Sequence, residues 1–179
     1  NNAWLVVSKT YNQSMIIDTP RTPKELITAA RNTNVVGILI THNHSDHLEG
    51  FDSVKQEFAD TPVGIGVDDA EALKKLGVAP TLNIVDGSEI VVGDLILRAV
   101  HTPGHTPGST CFYLDGRQPH LFSGDTLFPG GPGKTDNPSD FKKIVEAISS
   151  RLLTLPTNTI VHPGHGPDTI IGEAEIEYK

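Results

Sequence analysis

The sequence predicts a protein of mixed α and β structure arranged in layers. Two patterns lead to that class: short runs rich in β-branched residues at strand length, and amphipathic stretches between them that carry helix start and stop signals. A third observation concerns the turns. The 179 residues include 17 Gly and 13 Pro, roughly 17% against an average near 12% and short of the 25–30% of low-complexity chains. The chain is therefore expected to be globular, with many specified turns.

Strand-like runs occur at residues 3–7, 15–18, 35–41, 63–67, 89–92, 94–101, 109–114, 120–123 and 159–162. Thr22 and Pro23 before KELITAARN read as a cap and a first helical proline. In DDAEALKKLG the acids come first, the lysines late, and Gly77 stops the helix. A third helix is expected from about Pro138 or Ser139 to Leu153, with Phe141, Ile144, Val145, Ile148 and Leu152 on its apolar face. Helices and strands alternate early, a strand meander fills the middle, and no repeat, linker or charge block divides the chain. Residues 1–179 are expected to form one domain.

Composition excludes several classes. Cys111 is alone, so no intrachain disulfide forms, which fits a reducing compartment and a cytoplasmic location. The longest apolar run, residues 35–40, is far below the roughly 20 residues of a membrane span. A net charge of -8 with only 14 Lys and Arg disfavours nucleic acid or an anionic membrane as partner. The sequence opens on Asn1 without an initiator Met, which leaves room for an upstream segment.

The chemistry concentrates in GILITHNHSDHLEG, where His42, His44, Asp46 and His47 fall within six residues directly after an apolar strand. Side chains alternate along extended chain, so His42 and His44 project to one side and can share a metal ion. Asp46 and His47 fall where a new helix should begin and are available to a second ion. Three further ligand types sit in similar settings: His105 in HTPGHTPGS, Asp125 in SGDTLF and His165 in HPGHGPD. Both histidines follow Pro-Gly, in which Pro fixes one backbone angle and Gly permits close approaches. Residues 101–109, 124–138 and 162–167 are a sixth of the chain and hold half of its Gly and Pro, so the excess lies in these loops. A carboxylate at Asp125 has two oxygens and can bridge two ions.

These motifs resemble the metallo-β-lactamase superfamily, and within it the glyoxalase II (hydroxyacylglutathione hydrolase) group. The resemblance runs from Asn2-Ala-Trp and the strand-ending Asp18 to the final HPGHGPDTIIG. It implies a four-layer αββα sandwich, an α+β fold with a binuclear centre at one sheet edge. It further implies that His42, His44 and His105 bind one metal, that Asp46, His47 and His165 bind the other, and that Asp125 bridges. Asp18 either supports the metal loop by hydrogen bonding or simply ends a strand. Lys134 in GGPGKTD resembles a substrate-binding lysine, but Asp136 stands where the glutathione enzymes have Tyr. The sequence runs fourteen residues past His165 and is expected to lack the helical C-terminal domain that supplies basic residues to glutathione.

The expected reaction is hydrolysis of an acyl substrate, in which a hydroxide bridging two divalent ions attacks a carbonyl. Asp46 would orient that nucleophile. Zn is favoured, with Fe or Mn open, since imidazole and carboxylate suit all three. A thiolate, with an ordinary pKa near 8.5, leaves without a proton donor. An alkoxide would benefit from one. Lactonases of the superfamily place a Tyr after the bridging Asp, whereas this sequence has Phe128 and no Tyr between Asp125 and His165. A small thioester is thus the expected substrate, with a lactone or other ester, or a mononuclear iron persulfide dioxygenase, as alternatives. Tyr11 could approach from another loop. Tyr113 is expected in a strand core, Cys111 as a buried small residue, and His101, His120 and His162 as structural or solvent-facing.

Overall fold

The computed structural model describes residues 1–178, which form two large sheets flanked by helices. The first sheet has the order β1 (Trp4–Ser8), β2 (Gln13–Ile17), β3 (Asn34–Ile40), β4 (Val63–Gly66), β5 (Leu82–Ile84). β1 and β2 make an antiparallel hairpin, and β2 to β5 run parallel. Parallel neighbours need crossovers. These carry α1 (Lys24–Ala30), α2 (Phe51–Glu57) and α3 (Glu71–Lys75).

The second sheet begins with β6 (Glu89–Val92), β7 (Leu95–His101), β8 (Thr110–Leu114) and β9 (His120–Gly124), each antiparallel to the next. A ribbon of β10 (Leu127–Phe128) and β11 (Gly131–Pro132) precedes α4 (Pro138–Ala147), which continues as a wider π-type turn over Ile148–Leu152. β12 (Ile160–Pro163) then lies parallel to β9, β13 (Thr169–Ile170) closes that edge, and α5 (Ile171–Glu177) follows.

Three apolar interfaces follow from the two-residue period of strands. Met15, Ile17 and Leu39 point inward and meet Leu97, Ala99, Phe112 and Phe122 between the sheets. Their neighbours Ile16, Ile38 and Ile40 point outward onto Phe51, Val54 and Leu73. On the second sheet, Cys111, Tyr113 and Leu121 point outward onto Ile144, Ile148, Leu152 and Ile171. Four layers, αββα, are the result.

The structure corrects several local expectations. Pro23 sits just before α1 and no side chain caps that helix, so Thr22 is not a cap. DDAEALKKLG divides into a tight turn over Val67–Asp69 and the short α3, because Asp69 turns inward and is buried. Gly77 does end that segment, at φ 75°. Asn137 caps α4 by accepting from the Asp140 N–H at 3.0 Å. Phe141 is 51% exposed, not core, because the first half of α4 rests on the loop at Gly104, where an added Cβ would lie 2.6 Å from Ile144. β5, the β10–β11 ribbon, β13 and α5 are short pieces without periodic signal and were not expected from the pattern.

The tightest test of the layered core is Phe112, fully buried between the sheets. Phe112→Ala is expected to cost about 3–5 kcal/mol of stability in urea unfolding; a loss below about 1 kcal/mol would contradict this packing.

Candidate metal centre

Strand direction alone brings the ligand-type residues together. β7 is antiparallel to β8 and β8 to β9, so β7, β9 and β12 share one direction. Their carboxyl ends deliver His105, Asp125 and His165 to one edge of the second sheet. In the first sheet the carboxyl end of β3 delivers His42, His44, Asp46 and His47 to the same place, the last two on a single turn over Ser45–His47.

Three overlapping triplets result: His42, His44 and His105; Asp46, His47 and His165; and His42, His47 and Asp125. Within each triplet the ligand atoms lie within 4.8 Å of one another. Asp125 occupies the centre. Its Oδ1 is 3.3 Å from His47 Nε2, and its Oδ2 is 3.6 Å from His105 Nε2 and 3.7 Å from His165 Nε2. Asp46 Oδ2 is 3.0 Å from His165 Nε2. Both ligand sets expected from the resemblance are therefore brought together.

The outward-facing ring nitrogens are held by the protein. His47 Nδ1 donates to Asp18 Oδ2 at 2.8 Å, and His105 Nδ1 donates to the Lys134 carbonyl at 2.7 Å. Thr41 Oγ1 donates to Asp18 Oδ2 at 2.9 Å, which leaves its lone pair to accept from His42 Nδ1 at 3.1 Å. Each bond fixes the ring's orientation and leaves Nε2 facing inward. His42 Nε2, His47 Nε2, His105 Nε2 and Asp125 Oδ1 are buried with no hydrogen-bond partner. Buried polar atoms are rarely left so. The donor set, imidazole and carboxylate without thiolate, fits Zn, Fe or Mn ions at these atoms.

Charge differs sharply across the cluster. Burial and the neighbouring imidazoles of His47 and His105 push His42 far below the usual histidine range. Burial also lowers His44, with His105 adding to the effect. His47 is opposite: burial opposes its charge, but Asp18 and Asp125 outweigh it and hold the pKa up to about 10. Burial alone would raise Asp125, and the His47 imidazole more than offsets this, so Asp125 is lowered. His47 thus holds a proton between two carboxylates, and a cation at Nε2 would replace it.

The loop glycines permit these approaches. A Cβ on Gly164, in the HPGHG segment, would lie 2.1 Å from Asp125 Oδ1 and 2.6 Å from His47 Cε1. One on Gly133 would lie 1.8 Å from the Asp125 carbonyl oxygen. Only a residue without a side chain fits at either place.

Other expected residues take definite places. Asp18 supports the centre: buried at φ 61°, it accepts from the Thr41 backbone N–H as well as from Thr41 Oγ1 and His47. Lys134 is exposed, and its carbonyl holds His105. His162 bonds to His120 and Asp168 and stacks against Phe122, while His101 bonds to the Pro107 carbonyl. All three play structural parts. Cys111 and Tyr113 are buried in the second outer core. Tyr11 lies in the β1–β2 turn, at the far end of β2 from Asp18, and does not approach the centre. Two residues have parts that no local pattern signals: Asn2 donates from its side chain to the carbonyls of Pro163 and Gly166 on the His165 loop, each at 3.0 Å. Asp69 is the second, its only visible signal in the sequence being acidity at a helix start.

Fold and site together define a metal-binding αββα protein whose ligands come from strand ends in both sheets. The sequence model of the metallo-β-lactamase superfamily matches residues 1–165, and the chain belongs to that superfamily. It is 32% identical to a probable hydroxyacylglutathione hydrolase of Schizosaccharomyces pombe over 92% of this chain and 63% of that protein, so it spans less than two thirds of that relative's length. The crystal structure of BLEG-1, a B3 metallo-β-lactamase, superposes with a TM-score of 0.82 at 29% identity, covering 96% of this chain and 90% of that one. That of TTHA1623 in a di-iron-bound form superposes with a TM-score of 0.77 at 32% identity, covering 97% and 91%.

The charge on His47 can be read directly. In chelator-treated protein at pH 8, the imidazole ¹⁵N shifts of His47 are expected to be those of the cation, with a titration midpoint near 10. A neutral ring at pH 8 would contradict the electrostatic picture, because an unperturbed histidine titrates near 6.5.

Proposed function

We propose that the chain is a binuclear metal-dependent hydrolase acting on a thioester. The observation that carries this reading is the ring of unpartnered buried atoms, three Nε2 and one carboxylate oxygen, gathered around Asp125 with a complete set of ligands on either side. His42, His44 and His105 would hold one ion, Asp46, His47 and His165 the other, and Asp125 both. Divalent ions so held lower the pKa of a bound water toward about 7 and polarise a carbonyl oxygen.

The chain's own residues do the positioning. Asp46 is partly exposed at the mouth of the cluster with one oxygen turned to His165 and His47, which leaves the other to orient a nucleophilic water. Lys134, exposed on the loop that holds His105, would reach an anionic part of the substrate. No tyrosine serves as proton donor. Tyr11 is in a distant turn, Tyr113 is buried with its hydroxyl on Asp115, and Tyr178 packs in the outer core. A leaving group that departs unprotonated suits this centre, and a thiolate does so. The similarity to the Schizosaccharomyces relative, a probable hydroxyacylglutathione hydrolase, supports the same class. Zn is the expected ion, and the di-iron form of TTHA1623 supports iron as the alternative.

Metal analysis of the purified protein, joined to assays on thioester, lactone and β-lactam panels, tests the reading. About two ions per chain are expected, with thioesters turned over fastest and turnover lost in Asp125→Ala. Lactones or β-lactams hydrolysed faster would move the substrate class. One iron per chain with oxygen consumption on a persulfide would overturn the hydrolase altogether.

A further inference from the structure

Asp69 lies in the turn after β4, 1% exposed, and belongs to none of the ligand triplets. Its Oδ1 accepts from Asn43 Nδ2 and from the Gly108 backbone N–H, both at 2.9 Å. Its Oδ2 accepts from the Asn43 backbone N–H at 3.0 Å and from Thr106 Oγ1 at 2.6 Å. Each oxygen thus has two donors, and no Lys, Arg or His pairs with it among the described residues. A carboxyl group buried without a cation is costly unless hydrogen bonds compensate it, as these four do.

The donors are not scattered. Asn43 stands between His42 and His44, and Thr106 follows His105 directly. The alternation that turns both histidines toward the centre turns Asn43 the other way, onto Asp69. One carboxylate therefore ties together the two loops that carry the first triplet. The fit is close on the second loop as well, since a Cβ on Gly108 would lie 2.6 Å from Asp69 Cγ. That contact explains the second Pro-Gly of HTPGHTPGS. The Asp46, His47 and His165 triplet hangs elsewhere: His47 on Asp18, which also reaches His42 through Thr41, and the His165 loop on Asn2.

We infer that Asp69 is a positioning residue for the His42, His44 and His105 site, setting its metal affinity independently of the Asp46, His47 and His165 site. The inference rests on the binuclear reading above. It separates two functions of buried acid in this fold: Asp18 orients a ligand ring by direct contact, whereas Asp69 fixes the backbone of two loops and touches no ligand side chain.

Calorimetric titration of Zn²⁺ into chelator-stripped protein tests it, with His105→Ala and His165→Ala marking which binding step belongs to which site. In Asp69→Asn, where an amide donor replaces one acceptor oxygen, the step lost in His105→Ala is expected to weaken about 10–100-fold. The step lost in His165→Ala is expected to keep its affinity. Thr106→Val removes one donor of the four and should weaken the same step by a smaller factor; it decides the matter should Asp69→Asn fail to fold. Two sites of unchanged affinity, or two weakened alike as a general loosening would produce, overturn the inference. A native chain that takes up one ion refutes the binuclear reading by itself. The Asp69 inference then stands or falls separately: it holds where that ion is lost in His105→Ala and weakened in Asp69→Asn, and fails where the ion survives His105→Ala.

Discussion

Three imidazole nitrogens and a carboxylate oxygen face one another in the interior, with no hydrogen-bond partner beyond the ion-pair contact of His47 with Asp125, and the rest of the structure is arranged to keep them there. Each buried unsatisfied group costs about 1–3 kcal/mol. Ions at these atoms would satisfy them, and metal binding would then stabilise the folded chain. The two sheets supply the rigidity that such a cluster needs, because its ligands leave the ends of β3, β7, β9 and β12 rather than a single mobile loop.

Two buried acids carry much of that arrangement. Asp18, at the end of β2, takes a left-handed backbone conformation and gathers Thr41 and His47 onto its oxygens. Left-handed φ is uncommon for a residue other than Gly, and Asp is among the types that tolerate it. Asp69 does the corresponding work for the loops of His44 and His105. Around them Gly133 and Gly164 are excluded volumes as much as turns, since any side chain there would occupy the place of Asp125. The loops are stiff for a physical reason: Pro restricts the chain while Gly admits the close approach.

What the sequence revealed and concealed follows from range. Strands such as residues 15–18 and 109–114 were legible as short apolar runs of strand length, because both of their faces are buried, each against a different core. The ligand types were legible because His42, His44, Asp46 and His47 crowd one loop and the others follow Pro-Gly or end an apolar strand. Short paired pieces such as Leu82–Ile84 carry too few residues for a period to show. Asp69 and Asn2 were hidden for a different reason. Their roles lie in hydrogen bonds spanning 26 to 39 residues for Asp69 and 161 to 164 for Asn2, and local pattern reads an acid at a helix start as a dipole partner. Phe141 shows the converse, an apolar position in the right register whose helix end rests on a loop instead of the sheet.

The central claim is that Asp125 lies between two ions held by two separate sets of side chains. Anomalous diffraction from crystals of the metal-loaded protein, recorded at the absorption edge of the bound metal, measures this most directly. The account predicts two peaks about 3.5–4 Å apart, one beside His42, His44 and His105 and the other beside Asp46, His47 and His165, with the Asp125 carboxylate touching both. A single peak, with His165 turned away from the cluster, would contradict it.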